Sequence, residues 1–457
     1  MPDTGDTAWM MTATALVLLM TPGLALFYGG MVRSKSVLNM MMMSLSSIGL
    51  VGVLWVLYGY SAVFGTSVGA AGLIGDPAQF AGMRGLTAGT YLPDAETGAE
   101  VAVPLVGTIP ALLFVAFQAT FAIITVALIS GAVADRMRFG SWLVFAGVWT
   151  SVVYLPVAHW VFNFDEVTAG AGGWIANDLA AIDFAGGTAV HINAGIAALV
   201  LAVVLGRRRG WPREPMRPHN LTLVMLGAAL LWFGWFGFNA GSAVGSGAVS
   251  AFAVLTTIVA TCAAMIGWLV VERLRDGHAT ILGAASGIVA GLVAITPACS
   301  SVSPLGAVAV GAVAGVLCAL AVGLKFRLGF DDSLDVVGVH LVGGVVGTLL
   351  IGILATPDSP AGVAGLLHGG GLDQLWRQAV GVLAVLVYSG LATTVIALAL
   401  RVTIGLRIPD EDEVTGIDET EHAESGYDFS SLRAGGGLGA SRPQALTPVP
   451  ATATQES

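Results

Sequence analysis

The chain has 457 residues, of which 56% are hydrophobic and only 11% are charged, against about 25% charged residues in an ordinary soluble domain. This composition excludes a soluble globular enzyme and a disordered protein. With 19 Lys and Arg against 29 Asp and Glu, the net charge of −10 also excludes the basic surface of a nucleic-acid binder. The class that remains is an all-α, polytopic protein of the lipid bilayer.

The predicted membrane helices follow from the stretches that carry no charged residue. A spanning helix needs about 20 apolar residues, and seven of these stretches hold one helix each. The stretches 218–271 and 277–324 hold two each, because small and polar residues interrupt them at 238–247 and 296–304. The sequence therefore predicts eleven helices. In chain order the charge-free stretches are 7–32, 36–75, 101–134, 139–164, 184–206, 218–271, 277–324, 336–357 and 378–400.

The Lys and Arg residues indicate the orientation, because they concentrate in cytoplasmic loops. With the N-terminus outside, most of them fall on the cytoplasmic side, and the odd helix count puts the C-terminus there as well. We therefore predict a short outer N-terminus (1–6) and an eleven-helix transmembrane domain (7–400). They are followed by an acidic cytoplasmic tail (401–429) and by a C-terminal extension (430–457) that is rich in small residues and proline and is expected to be disordered.

Two histidines occupy matching places in the predicted helices. His191 lies early in helix five and His340 early in helix ten, and each follows an aspartate, Asp183 or Asp332, by eight residues. Helices five places apart run in opposite directions, which predicts an inverted repeat of helices 1–5 and 6–10 with helix 11 outside it. The imidazoles would then meet near the midplane. The alternative is a pair of unrelated structural histidines, but an ionisable group costs about 2.5 kcal/mol or more at that depth and tends to face a pathway.

The remaining acidic and histidine candidates allow more than one interpretation. Asp183 is either an acid of a surface loop or a cap for backbone N–H groups at the start of helix five. His159 lies near the outer end of helix four. The other histidines lie in loops or in the tail and are expected to be solvated: His219, His278, His368 and His422.

Aromatic residues mark the third and sixth helices. Phe117 and Phe121 are four residues apart and share one helix face. Trp235 and Phe238 lie among glycines in helix six and precede Ser242. A phenylalanine in a membrane helix usually faces lipid or the core, but an aromatic face beside a hydroxyl can hold a small cation. The pattern favours a passage for a small, weakly hydrated cation that can lose a proton.

Six segments, taken together, resemble the ammonium transporter superfamily (Amt/Mep/Rh), and the Amt branch in particular. They are PGLALFYGGMVRSKSVLNM, FQATFAIITVALISGAVADRMRF, DFAGGTAVHINAG, WFGWFGFNAGSA, GIVAGLVAITPA and DDSLDVVGVHLVGG. The tail segment GIDETEHAESGY is similar to the cytoplasmic tail motif of that family. The resemblance covers about residues 7–428, which is nearly the whole chain.

The resemblance implies a pore in each subunit of a homotrimer, with no cofactor and no metal. His191 and His340 match the twin histidines that line the pore and relay or accept a proton. Phe117 and Trp235 match aromatics of the vestibule and pore. The implied outer ammonium site comprises Phe121, Phe238, Ser242, Phe162 and Asp183.

One position departs from the family pattern. Where the family commonly has Trp, three residues after the Ala-His of helix four, this chain has Phe162, and an insertion over 163–173 follows. Phenylalanine is a poorer cation–π partner than tryptophan, which puts the affinity of the outer site in doubt. Alternatively, Trp174 could fold back over the site and substitute for the missing ring.

The implied function is that of an ammonium transporter or channel of the plasma membrane, not of an enzyme. Such a protein would recruit NH₄⁺ at the outer site, deprotonate it and conduct NH₃, with or without the proton, past the twin histidines. The tail would receive a PII-type nitrogen regulatory protein on the cytoplasmic face. Two alternatives remain: an ammonium sensor with little flux, and a transporter of another small amine such as methylammonium.

Overall fold

The computed structural model describes residues 1–92, 101–165 and 170–427. Among these residues, ten helices are long and apolar enough to cross a membrane, and a shorter apolar helix accompanies them, which confirms the all-α polytopic fold. The predicted extension 430–457 lies outside the described residues. In chain order the helices are α1 (Thr4–Met31), α2 (Ser34–Phe64), α3 (Ala111–Val133), α4 (Phe139–Phe162), α5 (Gly187–Leu205), α6 (Leu221–Gly241), α7 (Ala248–Asp276), the shorter α8 (Ile281–Ile295), α9 (Pro304–Leu328), α10 (Val337–Leu354) and α11 (Asp373–Thr403).

The two long charge-free stretches divide within the predicted segments, although α6 continues through Gly241 and the first break is shorter than the predicted 238–247. A turn at 242–247 separates α6 from α7, and turns over 296–303 separate α8 from α9. Ser303 caps α9 by accepting a hydrogen bond from the Gly306 N–H, and Pro304 suits the first helical position because no intrahelical N–H is needed there. The segment 296–303 thus forms turns, which leaves α8 with only 15 residues.

Close helix packing builds the bundle. α1 packs along α6, and α7 packs along α9. Gly311 and Gly315 lie four residues apart on α9, where a Cβ would clash with the carbonyl oxygens of Ala260 and Ala264 on α7. Small residues at this spacing let membrane helices approach closely. α11 packs against α5 and α10, outside the two five-helix sets, in agreement with the predicted inverted repeat.

The start of α1 and the long loop after α2 lie at one end of the bundle, which we call the N-terminal face. In the described part of that loop, 3₁₀ turns at Val68–Ala70 and Ala81–Met83 precede a small antiparallel hairpin, β1 (Leu105–Val106) with β2 (Ile109–Pro110). The Asp3 N–H donates to the Thr108 carbonyl at 2.9 Å and fixes the hairpin to the start of α1.

A buried ion-pair network joins the loops at the opposite end, which we call the tail face. Arg208 lies 2.8 Å from Asp331 and 3.1 Å from Asp135, and Arg33 lies 3.2 Å from the same Asp135 oxygen. Burial alone would raise the pKa of Asp135, but Arg33 and Arg208 outweigh it and hold that pKa below its usual value. Burial lowers the pKa of the neighbouring Arg136 to about 10. The network fixes the ends of α1, α3 and α5 relative to one another.

The tail packs against this face as two short helices, α12 (Asp410–Thr415) and α13 (Ile417–His422). Glu413 is buried and pairs with Arg407 at 2.8 Å. Asp418 accepts hydrogen bonds from the Leu38 and Asn39 N–H groups at 3.0 and 2.8 Å, which satisfies backbone donors near the start of α2. Burial raises the pKa of Asp418.

Two histidines of the tail face were predicted to be solvated, and that prediction was wrong. The His422 Nε2 lies 2.9 Å from the Asn39 Oδ1, and the His219 Nε2 lies 2.8 Å from the Tyr427 hydroxyl. Both imidazoles are half-buried. The docking of the tail brings these partners together.

Candidate functional site

The helices that carry His191 and His340 begin in the same unusual way. α5 starts with the π-helical turn Gly187–Ile192, and α10 starts with the π-helical turn Val337–Leu341. Each turn contains its histidine near its end. π-Helical turns are rare and occur often at functional sites. The wider π-helical turn displaces each imidazole from the position it would have on a regular α-helix. The displacement occurs at a comparable place in each half of the bundle.

An aspartate holds each of these turns at its start. Asp183 accepts hydrogen bonds from the N–H groups of Gly186, Gly187, Thr188 and Ala189 at 2.6–3.2 Å, and from the Thr188 hydroxyl. Of the two interpretations of Asp183, the structure therefore gives the helix cap. Asp332 acts in the same way at the other turn, accepting from the Val336 and Val337 N–H groups at 3.1 and 2.7 Å.

The two histidines meet in the interior of the bundle. Their rings stack with centroids 5.3 Å apart and planes 20° apart, and the two Nδ1 atoms are separated by 3.2 Å. His191 is 1% exposed and His340 is 4% exposed. A hydrogen bond between the two Nδ1 atoms requires a proton on one ring nitrogen and a lone pair on the other. The arrangement can therefore share or pass a single proton.

Narrow, apolar cavities run along the histidine pair. The first, which we call the pore cavity, has a volume of about 10 Å³, enough for about one water-sized molecule. A second cavity of about 10 Å³ continues toward the tail face and shares Phe27, Val289 and His340 with the first. Trp235 stacks on His191 at 5.5 Å and donates its indole N–H to the Thr296 hydroxyl at 2.8 Å. The pore cavity is lined by Met20, Leu24, Phe27, Ile124, Leu128, Val190, His191, Leu231, Trp235, Phe238, Val289 and His340.

Two phenylalanine rings separate the pore cavity from the N-terminal face. The rings of Phe121 and Phe238 lie 4.3 Å apart with planes 34° apart, and both are almost fully buried. Phe117 supports Phe121 edge-on at 5.0 Å. The two rings thus lie between the pore cavity and the N-terminal face, and we call this pair the aromatic gate.

Beyond the aromatic gate lies a larger space of about 80 Å³, which we call the entrance cavity. Phe162 meets Phe121 edge-on at 6.4 Å. The Ser242 hydroxyl donates to the Phe238 carbonyl at 2.8 Å, so its oxygen lone pairs stay available to accept a hydrogen bond. The lining residues are Phe114, Gln118, Phe121, Phe162, Phe164, Phe184, Ser242 and Val244.

Trp174 does not lie in this cavity, contrary to the suggestion that it could substitute for the missing ring. It packs against Trp160 with centroids 5.9 Å apart, and its backbone N–H donates to the Gly72 carbonyl at 3.2 Å. The insertion brings Phe164 to the cavity instead, and Phe184 joins it. Neither residue was predicted, although each stands within two positions of a predicted site residue, Phe162 or Asp183.

The chemistry available at these cavities is that of aromatic faces, hydroxyl groups and a pair of imidazoles. Within the described ranges, no group of three or more His, Cys, Asp or Glu side chains could hold a metal ion. The arrangement offers a cation a polar, aromatic entrance, and the pore cavity beyond it offers mainly apolar walls and two imidazole rings.

Comparison with known proteins identifies the family. The model of the Ammonium Transporter Family matches residues 8–427. An ammonium transporter of Mycobacterium bovis is 68% identical over 438 residues, covering 94% of this chain and 91% of that protein. Mep2 of Saccharomyces cerevisiae aligns with a TM-score of 0.77 and 33% identity over 90% of this chain and 88% of that one. A solved sensor Amt protein aligns with a TM-score of 0.81 and 28% identity, covering 92% and 98%. The chain therefore belongs to the ammonium transporter family, whose members are multi-pass membrane transporters and channels rather than enzymes.

Proposed function

We propose that NH₄⁺ binds in the entrance cavity, loses a proton at the aromatic gate, and crosses the pore cavity as NH₃ along His191 and His340. One observation carries this proposal: two buried imidazoles, 3.2 Å apart at their Nδ1 atoms, lie in an apolar space of about 10 Å³ behind two closely packed phenylalanine rings. Such a space accepts a small neutral base far more readily than an ion.

The entrance cavity suits a cation that donates hydrogen bonds. The faces of Phe121 and Phe162 present negative quadrupole density, which attracts a cation, and the Ser242 oxygen can accept one hydrogen bond from it. These contacts replace part of the hydration shell. The remaining water is lost at the aromatic gate, because the cavity beyond it holds only about one small molecule.

Loss of the proton follows from loss of water. An apolar passage disfavours the charged form of any titratable solute, so ammonium becomes a stronger acid there. K⁺ has no proton to release and donates no hydrogen bond to Ser242, so the same passage excludes it. Selectivity for ammonium thus depends on deprotonation rather than on the width of the pore alone.

Two routes are open to the released proton. It returns to the N-terminal face, or it crosses separately through the histidine pair. The contact between the two Nδ1 atoms supports the second route, since a proton on one ring can move to the other without either ring leaving its place. The two rings titrate as a coupled unit.

We further propose that the protein is a homotrimer of the plasma membrane, with the N-terminal face outside and the tail face in the cytoplasm. The Arg-rich loops at the tail face support this orientation. The acidic tail, which Asp418 holds against the start of α2, is a suitable contact for a PII-type regulatory protein. A change in tail docking would reach the pore through α2 and the ion-pair network.

A current measurement tests the proposed function. Purified protein in liposomes is expected to give a current when ammonium is added and none with K⁺, if the proton crosses with NH₃. Methylammonium serves as the substrate that separates ammonium transport from transport of other amines. If ammonium evokes neither a current nor an internal alkalinisation, transport is contradicted. That result would favour the alternative, a sensor with little flux, for which the similarity to the sensor Amt protein is the reason.

The substitution Phe162→Trp is expected to tighten the entrance site. Tryptophan has the strongest cation–π attraction of the aromatic side chains, so the half-saturating ammonium concentration should fall by about 2- to 5-fold. The half-saturating concentration is measured from the concentration dependence of transport in liposomes. Phe162→Leu is the matched control and should raise the half-saturating concentration. An identical half-saturating concentration in the wild type and both variants would remove Phe162 from the site.

A further inference from the structure

The turn between α6 and α7 places two residues in the entrance cavity, Ser242 and Val244. Val244 has a φ of 55°, a left-handed conformation that a β-branched residue rarely adopts. Backbone in such a region persists only where the surrounding contacts hold it. The position of both cavity residues therefore depends on whatever fixes the rest of this turn.

Asp6, on the first turn of α1, fixes the turn between α6 and α7 from one side. Its Oδ1 accepts hydrogen bonds from the Ser246 N–H at 2.7 Å and from the Ser246 hydroxyl at 2.9 Å. Its Oδ2 accepts from the Thr108 hydroxyl at 2.6 Å, in the loop between β1 and β2. From the other side, the Ser250 hydroxyl donates to the Gly245 carbonyl. One carboxylate thus connects α1, the hairpin and the turn that carries Ser242.

We propose that Asp6 is a positioning residue for the entrance cavity, holding Ser242 and Val244 in place through its hydrogen bonds to Ser246. The inference rests on the proposed function, because it assumes that the entrance cavity binds ammonium. Asp6 does not itself line that cavity, so it acts through the turn. The same turn faces the substrate with Val244, so its position also sets the size of the amine that fits.

Two substitutions separate the hydrogen bonds of Asp6 from its charge. Asp6→Asn keeps one oxygen to accept from Ser246, and its amide can donate to the Thr108 hydroxyl. Asp6→Ala removes every one of these bonds. If the carboxylate holds the turn, Asn should behave almost as the wild type and Ala should not. If the negative charge attracted ammonium directly, both variants would be impaired equally.

The experiment measures ammonium transport in liposomes over a range of concentrations. We expect Asp6→Ala to raise the half-saturating concentration by about 3- to 10-fold, the range for losing one or two hydrogen bonds, with the maximal rate changed less than about 2-fold. The ratio of methylammonium to ammonium transport should change as well. Asp3→Ala is the matched control, because Asp3 caps α1 through the Asp6 N–H but does not contact Ser246.

The outcomes distinguish this inference from the proposed function. Absence of transport by the wild type contradicts the proposed function, whereas normal transport with an unchanged half-saturating concentration in Asp6→Ala overturns the role of Asp6. Equal impairment in the Asn and Ala variants also overturns it. If Asp6→Ala does not fold, Ser246→Ala removes one of the two donors and is expected to give a rise of about 2-fold. No rise in that variant would count against the proposal.

Discussion

Replacing either pore histidine with alanine is expected to alter the rate or the selectivity of transport while the protein stays folded. Each substitution removes the contact between the Nδ1 atoms of His191 and His340 and leaves the other ring without its partner. If the proton crosses through the pair, the ammonium-evoked current should fall by at least about 100-fold, the lower range for losing a positioned proton carrier. Flux of NH₃, measured as internal alkalinisation, should persist in the same liposomes.

The fold is expected to survive because the change removes a polar group from an apolar passage. The partner left unpaired costs about 1–3 kcal/mol, which a thermal unfolding curve in detergent would register as a modest shift. His278→Ala is the matched control, since that imidazole is exposed on the tail-face side of α8 and lines neither the pore cavity nor the entrance cavity. Unaltered methylammonium uptake together with unaltered exclusion of K⁺ in both pore variants would contradict the proposed role.

The sequence predicts the membrane helices well because charge and apolar length are local properties. The breaks near 242–247 and 296–303 were both predicted, since small and polar residues mark them. The contact that the second break makes with α6 could not be predicted from composition. Thr296, the first residue after α8, accepts a hydrogen bond on its hydroxyl oxygen from the Trp235 indole N–H of α6.

The site was predictable where a repeated pattern or a motif of the family marks it. His191 and His340 each follow an aspartate at the same distance, so their meeting could be inferred without coordinates. No such pattern surrounds Trp174 and Phe164. Their positions could not be predicted, because the path of the insertion depends on where the chain packs against the end of α4. Gly173 approaches the backbone at His159 so closely that a Cβ would clash there, and this contact turns Trp174 toward Trp160.

The long-range hydrogen bonds of the tail could not be predicted from the sequence for a similar reason. His422 bonds Asn39, and His219 bonds Tyr427, over separations of 383 and 208 residues. Nothing in the local pattern around either histidine distinguishes it from a solvated loop residue. Only the docking of α12 and α13 on the start of α2 supplies the partners.

The largest loss of stability is expected from Asp183→Ala. The carboxylate accepts four backbone N–H groups and one hydroxyl at the start of α5, and it is 7% exposed. Its removal leaves several buried donors unpaired, at about 1–3 kcal/mol each, so the free energy of unfolding should fall by about 3–5 kcal/mol. The π-helical turn that carries His191 would lose its fixed start, so transport should fall even in protein that remains folded.

Thermal unfolding in detergent and flux in liposomes measure the two effects separately. Asp178→Ala is the matched control, because that acid lies five residues earlier and is exposed. Asp332→Ala should lower the free energy of unfolding less, since Asp332 accepts hydrogen bonds from only two N–H groups. Burial also raises the pKa of Asp332 to about 6, so its carboxylate is partly protonated near that pH and caps the helix less strongly. Equal stability of the Asp183 and Asp178 variants would mean that the turn at α5 is held by helix packing, and that the cap contributes little to the position of His191.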